Sequence, residues 1–253
     1  MRTFIFVCIV VCIILYKSIN FIGETYINYT DLNDKDPEYV FWTGGYDSTF
    51  RICELLIIYK RPVQPVYISY NLDSAKKSDK WVRKNRREEI DAMEKIRHKL
   101  YTRFPYTKGL LHKTIDINNN IDYPEYDINF NNLKLWPKKR RVHQYEHLGK
   151  IAYLLKTPVD CGVIGIHQNS NFVTFLKNNL IKTENNYILD VLSTHPLHYI
   201  RFPLFNRTKR DLCDISKKNK FNDIIKISWS CWFPNNKKPC NKCPMCIERF
   251  NCE

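Results

Sequence analysis

YVFWTGGYDSTF, residues 39–50, decides the fold. An apolar run (39–42) ends at Thr43-Gly44-Gly45, and Asp47-Ser48-Thr49 then opens a stretch with helical apolar spacing. The pattern predicts a strand, a glycine turn and a capped helix start. Adjacent glycines let the chain turn sharply and leave amide groups uncovered, while the helix dipole converges on the same point. Such a turn is an anion site, and its natural guest is a phosphate. Neither G-x-x-x-x-G-K-[ST] nor G-x-G-x-x-G occurs in the chain, so the two commonest phosphate motifs are excluded. An ordinary strand and turn with a polar helix cap would leave the same local marks.

Outward from this segment, residues 48–59 carry Phe50, Cys53, Leu55, Leu56 and Ile57 on a helix, and 65–70 read as the next strand. This is a βαβ unit with the glycine turn after its first strand. A long helix is expected from 79 to about 103, with Trp81, Ile90, Met93, Ile96 and Leu100 as its core face. Ile115 and Ile117 mark a short strand, followed by an Asn-rich insertion. A helix over about 142–155 precedes 161–166, a buried parallel strand whose polar end, His167-Gln168-Asn169, suits either a ligand or a satisfied strand end. Residues 200–204 lead to a helix over 208–218. Alternating strands and helices give an α/β fold, a doubly wound and mostly parallel sheet.

Cys231, Cys240, Cys243 and Cys246 form C-x8-C-x2-C-x2-C near the C-terminus. Two-residue spacers bring thiolates together on one tetrahedral ion, and four sulfurs fill the sphere of a structural Zn2+. A pair of disulfides is the alternative, and it requires an oxidising compartment. The chain's ten cysteines are not spread like a disulfide scaffold, so the reading is a reduced protein with one metal site, Cys252 being a spare thiol or alternate ligand.

Residues 4–16 are apolar throughout, about 20 Å of helix, and reach about 28 Å if the segment continues to Ile22. This predicts a hydrophobic membrane anchor over 1–22 and a polar linker over 23–37. An α/β domain over 38–227 and a four-cysteine segment over 228–253 complete the expected organisation, with the main domain facing the cytoplasm. A soluble cytoplasmic protein is the alternative. The formal net charge is +14, with basic clusters at 83–87 and 138–141. Such a surface suits RNA, anionic lipid or ATP, and equally a solvated basic face.

The loop, with Thr43 in place of a first serine, resembles the S-G-G-x-D-S pyrophosphate loop of the ATP pyrophosphatase superfamily. Together with S-C-W and C-x-K-C-x-x-C between Ser230 and Cys246, it resembles 7-cyano-7-deazaguanine synthase of queuosine biosynthesis. R-E-E-I-D-A at 87–92 and F-P-L at 202–204 followed by Thr208-Lys209 add to this. The resemblance implies an adenine nucleotide α-hydrolase-like fold that adenylates a carboxylate, with release of pyrophosphate, for amide or nitrile formation. It implies that Thr43, Gly44, Gly45, Tyr46, Asp47, Ser48 and Thr49 bind ATP, that Asp47 lies near Mg2+, and that the four cysteines bind Zn2+. Asp47, Ser48 and Lys209 are the implied catalytic set. The expected partners are a small carboxylate, of the deazapurine kind or related to it, and ammonia, with self-association left open. G-I-H-Q-N-S-N-F at 165–172 departs from the family's segment there, so the residues that would read a deazaguanine are not visible. Two other readings share these features: an ATP-dependent tRNA-modifying enzyme, and a membrane-tethered nucleotide- or nucleic-acid-binding protein without catalysis.

Overall fold

The computed structural model describes residues 36–69, 85–118, 143–166, 170–184, 186–189, 196–247 and 252. The expected anchor, Trp81, the Asn-rich insertion beyond residue 118, His167 and the basic cluster at 138–141 lie outside them. Among the described residues no helix is long and apolar enough to cross a membrane.

The strands are β1 (Glu38–Phe41), β2 (Val63–Ser69), β3 (Ile115–Asn118), β4 (Val159–Asp160), β5 (Leu180–Lys182), β6 (Tyr187–Leu189) and β7 (Ile200–Arg201). They form one sheet in the order β3-β2-β1-β4-β7-β6-β5. The first five in that order are mutually parallel, and β6 and β5 add an antiparallel edge. The helices are α1 (Tyr46–Cys53), α2 (Arg86–Arg103), α3 (His143–Leu155), α4 (Asn171–Asn179), α5 (Lys209–Lys218), α6 (Asn222–Ile225) and α7 (Pro244–Ile247). Past Cys53, α1 widens into a π turn over Glu54–Ile58, closed by the Tyr59 amide on the Glu54 carbonyl at 3.1 Å.

Side chains alternate across each strand, so one run feeds two cores. Val40 and Trp42 join Phe50, Leu56, Ile96 and Leu212 on one face, while Phe41 joins Val66, Ile151, Phe175 and Phe202 on the other. Each such side chain contributes about 1.5–3 kcal/mol on full burial. From β1 the chain goes to β2 on one side, while β4 pairs on the other. The strand order therefore reverses at β1, and the β1–α1 turn sits where open α/β sheets bind ligands.

The strand expected over 161–166 ends at Asp160, because the next segment turns its backbone against the β1–α1 loop. The antiparallel pair β5–β6 and helix α4 had no clear periodicity in the sequence.

On the α1 face runs a chain of buried ion pairs. Asp160 accepts from Arg51 Nε at 2.8 Å and from Arg201 Nε at 2.6 Å. Arg51 also reaches Glu54 at 2.6 Å, and Glu54 takes Arg207 at 2.5 Å. At the other end Arg201 reaches Glu38 at 2.5 Å, which also takes Arg61 at 3.2 Å. Burial pushes the Arg51 guanidinium down, but Asp160 and Glu54 outweigh it and raise its pKa.

Candidate nucleotide site and metal centre

Thr43 to Thr49 form one continuous loop and helix start. Gly44 has φ +69°, and a Cβ there would lie 3.0 Å from the Glu89 carbonyl oxygen and 3.2 Å from Met93. Only glycine satisfies both the backbone angle and the space. Helix α1 begins at Tyr46 on Gly45, and no side-chain oxygen caps it. The sequence anticipated a cap, but Asp47 and Ser48 lie inside the first turn. The first amides of any helix lack carbonyl partners within it, and here the first intrahelical bond is from the Thr49 amide to the Gly45 carbonyl at 2.9 Å. A macrodipole end without a side-chain cap is where an anion is most strongly favoured.

The surrounding side chains keep this start rigid. Buried Trp42 donates its indole N–H to Thr49 Oγ1 at 3.1 Å. Ser48 Oγ donates to the Gly45 carbonyl at 3.3 Å, and the Gly45 amide reaches Thr43 Oγ1 at 3.4 Å. Tyr46 is pushed up to about 12, first by burial and then by the carboxylates of Asp47 and Asp214. Its phenol stays protonated beside Asp47 and Asp214, the latter carried by α5. Lys209 opens α5 directly after Thr208, whose hydroxyl and Asp211 form a capping box.

One residue at this loop escaped the sequence reading. A Cβ on Gly162 would lie 3.0 Å from the Ser48 amide nitrogen and 3.1 Å from the Asp47 carbonyl carbon. The segment after β4 thus packs backbone to backbone against the helix start. Its signal was available, since a glycine in an apolar strand-like run marks close approach of another chain.

Beside the loop, a cavity of about 40 Å3 is lined by Thr43, Tyr67, Asn85, Arg86 and Glu89 among others. Glu89 accepts from Tyr67 Oη at 2.7 Å and from Asn85 Nδ2 at 2.8 Å. Burial first, then the Glu89 charge, raises the Tyr67 pKa. The space suits water and is far below the ~300 Å3 of a small-ligand pocket, so it does not by itself enclose a base.

The four C-terminal thiols converge as expected: the sulfurs of Cys231, Cys240, Cys243 and Cys246 all lie within 4.8 Å of one another. Zinc–sulfur bonds of about 2.3 Å in a tetrahedron require sulfurs about 3.8 Å apart, and Cys240 and Cys246 stand at 3.9 Å. The donor set therefore fits Zn2+. Local turns bring the ligands round. Asn236 and Lys237 both have positive φ, making a tight hairpin in which Asn235 and Lys238 exchange amide bonds at 2.9 Å. Asn241, φ 56°, turns the chain between Cys240 and Cys243. The amides of Lys242 and Cys243 donate to the Cys240 sulfur at 3.4 and 3.3 Å, and chiefly the first lowers that thiol to about 6. Burial raises Cys231 and, to about 12, Cys246.

Cys252 is not an alternate ligand. It forms a disulfide with Cys213 of α5, their Cα atoms 5.6 Å apart, within the range such a bond needs. The expectation of a wholly reduced chain is corrected accordingly. Among the described residues, Cys53 and Cys161 and the four clustered cysteines are the free ones.

A doubly wound sheet, a glycine loop at its switch point and four converging thiols define an α/β protein with a candidate anion site and a candidate metal centre. Within that class, residues 168–252 match the family model described as Queuosine biosynthesis protein QueC. The resemblance seen in the motifs is thus matched over the α5 and four-cysteine region. Loop residues 43–49 lie outside the matched stretch. No curated protein matches the chain.

Proposed function

We propose that this chain is an ATP-dependent synthase resembling 7-cyano-7-deazaguanine synthase, which adenylates a carboxylate and passes it to ammonia. The observation that carries the reading is the helix start at Gly45, uncapped by any side chain and set at the strand-order switch beside β4. A carboxylate is a poor electrophile until one of its oxygens becomes part of an AMP leaving group. Attack of that oxygen on the α-phosphate expels pyrophosphate. Ammonia then displaces AMP to give an amide, and a second activation of the amide oxygen and loss of AMP would give a nitrile.

The loop amides and helix dipole would hold the departing pyrophosphate. Asp47 would share a Mg2+ with the phosphates, which supply most of that ion's oxygens. Thr43 and Ser48 orient the turn, and Lys209 would contact the nucleotide or the acyl adenylate. No protein nucleophile is required. A second reading, modification of a tRNA through the same loop, draws on the +14 charge.

The test is to incubate the full chain with ATP, Mg2+ and 7-carboxy-7-deazaguanine, with and without ammonia, and to follow AMP and product mass. AMP formation dependent on the carboxylate, and its loss in Asp47→Ala, are expected. AMP turnover unchanged in Asp47→Ala would sink the proposal, and pyrophosphate release stimulated only by RNA would select the second reading.

A further inference from the structure

We propose that Trp229 couples the four-cysteine centre to the pyrophosphate loop, so that metal binding at the first raises nucleotide affinity at the second. The inference rests on the nucleotide reading of the loop given above. The Trp229 amide donates to the Gly44 carbonyl at 2.9 Å. Its indole N–H donates to the carbonyl of Cys231, the first thiol ligand, at 2.8 Å. One residue therefore bonds the loop with its main chain and the metal segment with its side chain.

The bond to Gly44 sets where the loop points. A trans peptide is planar, so the Gly44 carbonyl and the Gly45 N–H point in opposite directions. Fixing the carbonyl on Trp229 aims the Gly45 amide the other way, toward Thr43 Oγ1. That contact is 3.4 Å, long for an N–H···O bond, and an anion competes with it readily. Trp229 itself is held from both sides. The preceding amides of Ile227 and Ser228 bond Ile224 and Ile225 of α6 at 3.1 and 2.9 Å, and the following chain enters the thiol cluster at Cys231. A Cβ on Gly45 would lie 3.7 Å from the Trp229 carbonyl oxygen, so Trp229 lies along the loop on both its amide and its carbonyl side.

Without the ion, four thiols have no common partner, and the position of Cys231 relative to the rest of the tail is less fixed. Trp229 then holds Gly44 less rigidly, and part of the cost of ordering the loop shifts to nucleotide binding. Coupling of this kind is reciprocal: the factor by which zinc tightens ATP is the factor by which ATP tightens zinc.

The experiment titrates Mg-ATP into the zinc-loaded full chain and into chain stripped by a chelator, and measures zinc affinity with and without saturating ATP. A change of about fivefold or more, equal in both directions, is expected. ATP affinity within twofold in both forms overturns the coupling while leaving the nucleotide site standing. Absence of ATP binding in either form overturns the nucleotide reading instead, and this proposal with it. Because stripped chain can unfold, Trp229→Phe is the second arm: it keeps an aromatic, though smaller, ring and the main-chain amide but removes the indole N–H donor. Retained zinc with weakened ATP binding and faster hydrogen exchange at amides 45–48 is expected. Unchanged exchange and affinity in this variant overturn the coupling.

Discussion

Replacing Gly162 with alanine pushes a methyl group into the backbone of the β1–α1 glycine loop, the proposed phosphate site. The new carbon would stand 3.0 Å from Ser48 N, 3.1 Å from the Asp47 carbonyl carbon and 3.2 Å from Ser48 Cα. Comfortable carbon contacts need about 3.5–4.0 Å, so the two backbones must separate by roughly half an ångström. All three neighbours are main chain of a helix start, and no side-chain rotation relieves them. A loop amide about 2.9 Å from a phosphate oxygen would move to about 3.4 Å, where a hydrogen bond has lost most of its strength. Bonds to charged groups contribute about 1.5–3 kcal/mol each, so losing one weakens ATP about tenfold to a hundredfold.

Calorimetric titration of Mg-ATP into Gly162→Ala reads this directly, with thermal unfolding to confirm the fold. Overpacking of this kind costs about 1–3 kcal/mol of stability. Gly109→Ala is the control, because its Cβ would meet only the Tyr106 carbonyl oxygen at 3.9 Å. ATP affinity equal in the two variants would refute the argument that the β4 exit positions the loop.

Asp160→Ala leaves two buried guanidiniums, Arg51 and Arg201, without their shared carboxylate. A loss of about 3–5 kcal/mol is expected in urea unfolding, and a loss below about 1 kcal/mol would contradict the ion chain. Cys243→Ser removes one of four sulfur ligands, and zinc per chain should fall below one after dialysis against a mild chelator; full retention would count against the centre. Tyr46, raised to about 12, holds its proton more tightly folded than unfolded, where it titrates near 10. Its contribution is complete below pH 10 and is lost as pH rises toward 12, so Tyr46→Phe should lose less stability than the parent between pH 9 and 12. Equal losses would show that the phenol is not buried beside those carboxylates.

What the sequence revealed was local. Strand, glycine turn and helix lie within twelve consecutive residues, and the thiols carry their own spacing, so both features could be read without the fold. Helix α2 showed its core face at Met93, Ile96 and Leu100, all buried. The misses are long-range or confined to main-chain atoms. Cys213 and Cys252 are separated by 39 positions with no spacing rule to join them. The bond from Trp229 to Gly44 uses an amide and a carbonyl that every residue possesses. Strands of two or three residues, such as β4 and β5, are too short for periodicity to register. The end of β4 was misplaced because Val163 and Ile164 are as buried as strand residues would be.

The ion chain explains how so short a strand can position the loop. Four guanidiniums face three carboxylates along β1, β4, β7 and α1, largely out of solvent. Such arrays add little net stability, since desolvation opposes the Coulomb attraction, and apolar side chains of equal volume often do as well. What apolar contacts lack is direction. Asp160 offers one oxygen to Arg51 of α1 and the other to Arg201 of β7, and both bonds form only with Asp160 on the α1 face. Slipping β4 by one residue would send Asp160 to the opposite face and leave both guanidiniums buried without it, at a cost of several kcal/mol. Two residues of ladder pairing could not impose that penalty alone. Gly162 lies two residues beyond Asp160, so the register that satisfies the arginines also sets Gly162 against the Ser48 amide. The buried charges thus govern loop geometry from the far end of α1, without touching a phosphate.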